Sequence, residues 1–249
     1  IFISCSCPKN NKKQTETTLK KYFENINLQS SKSNQYVQQE KDIFNQVVWI
    51  KNKLNNDDMV KIAYTVYDDI EFLSNQWIAI VYFQYIFFNF ETGIFYKKLR
   101  DEHGIIYSIN LAKNINLYNS KSSYFKINTK TKKKNIKLFF KTMTEILRNL
   151  QLTKKDVEWA RKSIFVEYQY KTFKSLVSEN SHYLRFLLSK NKIVNKKTIV
   201  NQLMKIDFEI LKKEIYKISE SILNRSIVFY YSNENLKKQI NLNKPHHVF

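Results

Sequence analysis

Only two glycines and two prolines occur in this chain of 249 residues. Glycine and proline are the residues that most often interrupt regular structure, so their scarcity predicts helices and strands that follow one another with few flexible joints. Hydrophobic residues make up 43% of the chain, which is ample material for a core. The length fits one large domain, or a domain plus a fragment of another. The composition therefore excludes a linker-rich or disordered chain.

Hydrophobic periodicity divides the chain into strands and helices. Alternating patterns predict strands over residues 1–7, 43–54, 59–67, 105–116, 122–131 and 226–231. Helical patterns predict helices over residues 13–26, 69–88, 92–102, 133–150, 176–189, 196–204 and 208–220, and a long helix after Thr153. Helical runs that separate strands in this way favour a two-layer α+β sandwich, in which a mostly antiparallel sheet packs against helices.

Local signals mark several helix ends. Asp69 is the predicted N-cap of the helix that runs to Phe88, and Gly104 is a predicted left-handed C-cap. Thr153 and Asp156 have the spacing of a capping box. The predicted inward faces of the helices near 133–150 and after Thr153 consist of Ile136, Phe139, Phe140, Met143, Leu147, Leu150, Val157, Ala160, Ile164 and Phe165.

The formal net charge of +20 is compatible with nucleic-acid binding. Arginine, however, occurs only at Arg100, Arg148, Arg161, Arg185 and Arg225. The chain is rich in Lys, Asn, Ile, Phe and Tyr and poor in Gly, Ala, Pro and Arg. This is the amino-acid composition that AT-rich codons produce, and such a codon bias by itself loads a protein surface with lysine. Phosphate and base recognition favours the planar arginine fork. We therefore interpret the charge as a solvated lysine surface, and nucleic acid is not an expected partner.

Cysteines and apolar runs limit the remaining classes. Cys5 and Cys7 have no second pair, so they cannot form a zinc site of about four ligands, and the absence of a disulfide framework favours a reducing, cytoplasmic location. No signal peptide is visible, and we expect a chain that begins inside a strand to have lost its natural start. The most apolar stretch, residues 77–90, is too short to span a bilayer and predicts a buried helix, so no membrane partner is expected.

Residues 91–111 have the sequence ETGIFYKKLRDEHGIIYSINL. This segment resembles the signature of the C-terminal domain in the insulinase, pitrilysin and mitochondrial processing peptidase family. The positions in register are Phe95, Leu99, Arg100, Gly104, Tyr107 and Ser108, with Asp101 where the family has Glu. Before this block, where the family usually has two glycines, the chain has Asn89, Phe90 and a single Gly93.

Two further segments support the resemblance. Residues 152–161 are similar to the family's Leu-Thr-x-x-Glu-Leu-x-x-Ala-Lys helix start, and residues 1–28 are similar to the last strand and helix of its N-terminal half. The resemblance implies four parts: residues 1–28 from the end of the preceding half, a linker over 29–42, a substrate-binding domain over 43–235 and a tail over 236–249. It thus covers most of the chain.

Family members have two similar halves around a chamber, with zinc on an inverted His-x-x-Glu-His in the N-terminal half. This chain has His103, His182, His246 and His247, and none lies in such a motif. His103 is interpreted as a helix-dipole partner, His182 as a core or surface residue, and the other two as tail residues. The resemblance implies no metal ligand and no cofactor in this chain, with zinc in the missing N-terminal half. We predict that the chain alone hydrolyses no peptide and binds no stoichiometric zinc.

The resemblance assigns substrate contacts to Arg100 and Tyr107. A tyrosine phenol stabilises the oxyanion that develops on a scissile carbonyl, and a guanidinium forks onto a substrate carbonyl. Two alternatives stay open for these residues. Strand alternation places Tyr107 on the face of Ile109, where a tyrosine is commonly part of the core, and Arg100 has Asp101 and Glu102 nearby as salt-bridge partners.

The favoured function is the catalytically incomplete, substrate-binding C-terminal half of a zinc metalloendopeptidase. The implied partners are a peptide substrate and an N-terminal zinc-bearing half or homologous subunit. The alternative is an inactive scaffold or partner subunit of the same family, similar to the core proteins of respiratory complexes. A basic nucleic-acid binder is a distant third hypothesis, which a salt-sensitive gel shift would be needed to revive.

Overall fold

A computed structural model of the chain describes residues 11–23, 46–51, 58–90, 92–116, 120–171, 194–240 and 246–248. The predicted strand over 1–7, the linker over 29–42 and the helix over 176–189 lie outside these residues, as do Cys5, Cys7 and His182. Six strands are described: β1 (Val47–Lys51), β2 (Met59–Asp68), β3 (Ile106–Asn114), β4 (Ser123–Lys132), β5 (Ile227–Ser232) and β6 (His246–Val248). The α-helices are α1 (Lys12–Phe23), α2 (Asn75–Phe88), α3 (Ile136–Arg148), α4 (Lys154–Val166), α5 (Lys196–Lys205) and α6 (Phe208–Arg225). Two π-helical segments, Tyr96–Glu102 and Glu167–Lys171, and three short 3-10 segments, Ser120–Ser122, Lys133–Asn135 and Lys237–Gln239, are also described.

The strands form one six-stranded sheet in the order β3-β4-β2-β5-β1-β6. The pairs β3–β4, β4–β2 and β2–β5 are antiparallel, whereas β1 lies parallel to β5 and β6. The predicted fold class, a mostly antiparallel sheet packed against helices, is confirmed. The edge strand β6 lies within the stretch that the sequence predicted as a tail. The division of the chain into domains stays a prediction.

Helix α2 is the centre of the helical layer. Ten of its fourteen residues are buried, which explains why the segment is apolar all round rather than on one stripe. No helix among the described residues has the length and apolarity needed to cross a membrane. The predicted cap Asp69 is wrong: the helix begins after Ser74, whose side chain accepts a hydrogen bond from the Trp77 backbone N–H. Leu73, at a φ of 65°, turns the chain into this start, so the helix begins later than periodicity suggested.

Helices α3 and α4 follow the sequence prediction closely. The predicted inward residues of both helices are buried except for Phe165, which is 40% exposed. Thr153 and Asp156 form the predicted capping box, with each side chain bonded to the other's backbone N–H. Phe165 lies near the end of α4, where the helix passes into the π-helical segment Glu167–Lys171 and the inward stripe is lost.

The sheet has two unlike faces. The side chains of Val60, Ile62, Tyr64 and Val66 on β2 and of Phe125 and Ile127 on β4 belong to the core. The alternate residues of the same strands point away from this core, and among them Lys61 and Lys130 are exposed. One face of the sheet is therefore closed by helices, and the other, which we call the open face, carries the polar side chains of β2, β3 and β4.

Candidate functional site

Both glycines of the chain flank the π-helix that carries Arg100. A Cβ at Gly93 would lie 2.5–2.7 Å from backbone atoms of Asn89 and Phe87, so only glycine allows this close packing of the helix entrance. Gly104 adopts a φ of +60°, and its N–H donates to the Arg100 carbonyl at 2.9 Å. The predicted left-handed C-cap is thus confirmed. The two glycines fix where the helix enters and leaves, and thereby where Arg100 stands.

A β-bulge determines the orientation of Tyr107. Ile106 pairs with Thr131 and Ser108 pairs with Lys130, so Tyr107 is the extra residue on β3. Strict alternation would place Tyr107 with Ile109 in the core, but the bulge breaks that alternation, and the Tyr107 side chain is 76% exposed. Tyr107 is therefore not part of the core. A one-residue bulge at the start of an edge strand leaves no clear trace in hydrophobic periodicity.

Arg100 lies against aromatic rings instead of a carboxylate. Its Cζ atom is 5.2 Å from the centre of the Phe90 ring, 5.8 Å from that of Tyr96 and 6.0 Å from that of Tyr107. Such distances are within the range of cation–π attraction. The Phe90 and Tyr96 rings also meet edge to face, with centres 5.1 Å apart. Phe90 is 64% exposed and Tyr96 only 6%, so one ring covers Arg100 from solvent and the other supports it from the core.

The salt bridges weighed for Arg100 do not form. Glu102 pairs with Lys98 at 2.8 Å, and no ion pair joins Arg100 to Asp101 or Glu102 in the described part of the chain. The five N–H donors of the guanidinium are thus not used by a carboxylate from these neighbours. Sequence reasoning found Arg100 and Tyr107 but missed Phe90 and Tyr96. From the sequence, Phe90 was only a residue that stands where the family usually has glycine, and no contact with Arg100 was predicted for its ring.

A groove of about 370 Å³ lies on the open face of the sheet. Its lining comes from β2, β3, β4 and β5 and includes Lys61, Lys126, Lys130, Asn110, Asn128 and Tyr231. Tyr96 also lines it, so one side chain contacts both Arg100 and the groove. The arrangement suits an extended ligand that is held at Arg100 and Tyr107 and lies along the sheet.

The remaining candidates lie elsewhere. His103 is the exposed C-cap residue of the π-helix, as expected of a dipole partner. Tyr168, in the aromatic stretch over 168–173, packs edge-on to Trp77 with ring centres 6.4 Å apart, as expected of a ring packed against the core. Among the described residues, no group of three or more His, Cys, Asp or Glu side chains is placed to hold a metal ion.

Comparison with protein families now identifies the class. The model of the peptidase M16 inactive domain matches residues 9–164, which is more than half of the chain, and the chain belongs to this family. The resemblance to the C-terminal, zinc-free domain of the insulinase-like peptidases is confirmed. Comparison with curated protein sequences gives no match.

Solved structures share the fold at low sequence identity. A protease from Helicobacter pylori has a TM-score of 0.66 at 11% identity, over 89% of this chain and 52% of that one. A peptidase M16 inactive domain from Pseudomonas fluorescens has a TM-score of 0.59 at 14% identity, over 77% and 44%. Complex III2 from Candida albicans contains a chain with a TM-score of 0.58 at 11% identity, over 80% and 48%. The chain thus spans about half the length of these three relatives.

Proposed function

We propose that this chain is the substrate-binding half of a zinc metalloendopeptidase, and that Arg100 and Tyr107 hold the peptide while an N-terminal half cuts it. One observation carries the proposal. The Cζ atom of Arg100 lies 6.0 Å from the centre of the Tyr107 ring, and that tyrosine is 76% exposed. Two polar groups that converge on an open surface are suited to a ligand rather than to the core.

Each residue has a distinct task in this proposal. The Arg100 fork donates to a backbone carbonyl of the bound peptide. The Tyr107 hydroxyl donates to the carbonyl oxygen that becomes negative during cleavage. Zinc in the other half would supply an activated water. The stacked rings of Phe90 and Tyr96 hold Arg100 without using its donors, because cation–π attraction acts on the face of the guanidinium and leaves its edge free.

We also propose that residues 1–28 belong by origin to the preceding half, that 29–42 is a linker and that 43–235 is the substrate-binding domain. The exposed Tyr22 on α1 supports a helix whose packing partner lies elsewhere. Limited proteolysis should then cut first within residues 29–42 and release a stable fragment beginning near residue 43. A first cut inside β2 or β4 would contradict this division.

The proposed peptide clamp, which consists of Arg100 and Tyr107, is tested by enzyme kinetics on the chain combined with its zinc-bearing half. Tyr107→Phe should lower kcat by about 10²–10³-fold with little change in KM, because the oxyanion contact strengthens mainly in the transition state. Arg100→Lys should damage both parameters, because a point charge does not replace the fork. Tyr170→Phe and Arg148→Lys change the same residue types at other exposed positions and should leave both parameters intact. Full activity in Tyr107→Phe would refute the assignment.

The chain by itself should hydrolyse no peptide, because the proposal places the zinc ligands in the other half. Metal analysis after dialysis should find no stoichiometric zinc in the isolated chain. One tightly held equivalent of zinc would overturn this part of the proposal.

A second candidate is an inactive scaffold or partner subunit. The similarity to a chain in complex III2 from Candida albicans favours it, since that chain belongs to a multisubunit assembly. The two candidates differ in the other half: an intact His-x-x-Glu-His there supports the peptidase, and its loss supports the scaffold. Under the scaffold hypothesis, Tyr107→Phe has no activity to change and leaves subunit assembly intact.

A further inference from the structure

The open face brings three lysines together in the groove. Lys61 on β2 lies directly opposite Lys130 on β4 in the antiparallel register. Lys126 lies four residues before Lys130 on the same face of β4, about 13 Å along the strand. Like charges directly opposite one another on a sheet destabilise it. The fold therefore tolerates a repulsive pair at the floor of the groove.

Nothing in the described part of the groove balances this charge. None of its described lining residues is Asp or Glu, and none of the three lysines forms an ion pair with a carboxylate of the described residues. Elsewhere on the surface, lysines do find partners: Lys98 pairs with Glu102, and Lys217 with Glu214. The lysines of the groove thus form a positive floor that an anionic ligand would neutralise.

The neutral lining favours a peptide over a nucleic acid. Asn110 and Asn128 lie opposite each other across β3 and β4, and their amides donate to and accept from a peptide backbone. Single-stranded nucleic acid is bound mainly by stacking on exposed aromatic faces. The two aromatic residues that line the groove itself do not offer such faces, since Tyr96 is 6% exposed and Tyr231 is half-buried, and the exposed rings of Phe90 and Tyr107 lie beside Arg100, outside the lining.

We propose that this groove selects acidic peptides. Aspartate or glutamate side chains of the peptide held at Arg100 and Tyr107 contact Lys61, Lys126 and Lys130, and two acids four residues apart on an extended peptide match the Lys126–Lys130 spacing. The inference rests on the proposed function, because Tyr96 joins the Arg100 site to the groove.

The test is fluorescence anisotropy with the whole chain and two labelled peptides. The first is a twelve-residue peptide of Ala, Ser and Leu with glutamate at its fourth and eighth positions, and the second has glutamine at both positions. The glutamate peptide should bind about 5- to 10-fold more tightly at about 50 mM salt, the scale of two exposed ion pairs. The preference should shrink at about 300 mM salt, because screening weakens exposed charge pairs.

Variants locate the effect on the open face. Lys61→Gln with Lys130→Gln should reduce the preference for glutamate to about 2- to 3-fold, the scale of the single ion pair that Lys126 can still form, and should not lower the melting temperature, since a repulsive pair is removed. Lys137→Gln with Lys213→Gln removes the same charge from exposed positions on α3 and α6 and should keep the preference. An equal loss of preference in both double variants would overturn the proposal in favour of a general effect of net charge.

The other outcomes separate this inference from the proposed function. If both peptides bind equally and Arg100→Lys weakens both, the clamp stands and acid selection is wrong. If neither peptide binds, both proposals fail. If a labelled twelve-residue oligothymidine binds more tightly than the glutamate peptide and loses affinity in the Lys61–Lys130 variant, the groove is a nucleic-acid site and the acidic-peptide proposal is overturned.

Discussion

Two arginine–tyrosine pairs among the described residues, Arg161 with Tyr82 and Arg100 with Tyr107, have opposite environments. Arg161 on α4 donates to the Tyr82 hydroxyl at 3.3 Å and to the Ile206 carbonyl at 3.1 Å, and it pairs with Glu158. Tyr82 is fully buried and donates to the Leu203 carbonyl at 2.8 Å. The Arg100 Cζ atom instead lies 6.0 Å from the centre of the exposed Tyr107 ring. Arg161 uses its donors within the protein, whereas no hydrogen bond or ion pair from the Arg100 side chain is found among the described residues.

This difference separates residues that hold the fold from residues available for function. Burial raises the pKa of the Tyr82 hydroxyl, and the hydrogen bond and charge of Arg161 oppose that rise. The Arg161 pair therefore has a structural reason to exist without any substrate. No such reason applies to Tyr107, because an exposed tyrosine beside an arginine stabilises the fold little.

Gly93→Ala should have the largest effect on stability, because it disturbs the backbone that places Arg100. The added Cβ would meet three backbone atoms at 2.5–2.7 Å, so the helix entrance must shift. We expect a loss of about 3 kcal/mol or more in the free energy of unfolding, measured by urea titration. Gly104→Ala meets no atom within 4 Å and costs only the strain of a positive φ, about 1 kcal/mol. Equal losses for the two variants would contradict this account.

Replacing each arginine by methionine compares the two pairs directly. Arg161→Met should lower the free energy of unfolding by about 2 kcal/mol, because the half-buried Ile206 carbonyl and the Tyr82 hydroxyl lose a charged donor. Arg100→Met should lower it by less than about 1 kcal/mol, the scale of a cation–π contact at an exposed site. Thermal and urea unfolding of both variants measure the difference. A larger loss for Arg100→Met would mean that Arg100 is the structural residue.

Lys113 extends the contrast to the closed side of β3. Its ammonium donates to the Gln84 side-chain oxygen at 2.9 Å, and burial lowers its pKa from 10.5 to about 8. The unfolded chain therefore holds this proton more tightly than the folded chain does. The loss in free energy of unfolding that the buried charge causes is greatest below pH 8, and it disappears as the pH rises toward 10.5. Lys113→Met should melt at a higher temperature than the wild type at pH 7, and this difference in melting temperature should become smaller by pH 10. A difference that stays constant with pH would show that Lys113 is not buried as described.

The smallest effect should come from Phe90→Leu. Leucine keeps the position apolar but removes the ring that stacks 5.2 Å from the Arg100 Cζ atom. We expect about 3-fold weaker binding of the glutamate peptide, since one exposed cation–π contact is worth about 0.5–1 kcal/mol. Phe165→Leu changes another exposed ring, on α4, and should leave binding unchanged. No change in Phe90→Leu would mean that Tyr96 alone positions Arg100.

The fold was predictable where a pattern repeats over a whole element. The inward faces of α3 and α4 and the capping box at Thr153 follow from spacing alone, because burial of one helical stripe selects the same residues in sequence and in structure. The prediction of Asp69 as the N-cap was wrong because Asp and Ser are both good caps. Only the turn at Leu73 decides that the helix begins after Ser74.

The site was predictable only in part. The motif indicated Arg100 and Tyr107, but the orientation of Tyr107 depends on a bulge against Thr131 and Lys130, which lie more than twenty residues away. The stacking of Phe90 on Arg100 likewise depends on the Gly93 entrance rather than on any local pattern. Cross-strand register brings Lys61 beside Lys130 from distant segments, and composition could not separate these lysines from a solvated surface.

The central claim is that a peptide lies on the open face at Arg100 and Tyr107, and photo-crosslinking tests it most directly. The glutamate peptide, with benzoylphenylalanine at its sixth position, is irradiated with the whole chain, and the attached residues are mapped by mass spectrometry. We expect attachment within residues 96–110 and on β4, competed away by unlabelled peptide and reduced in Arg100→Lys. Attachment concentrated on the exposed surfaces of α3 and α6, or unchanged by Arg100→Lys, would contradict the account.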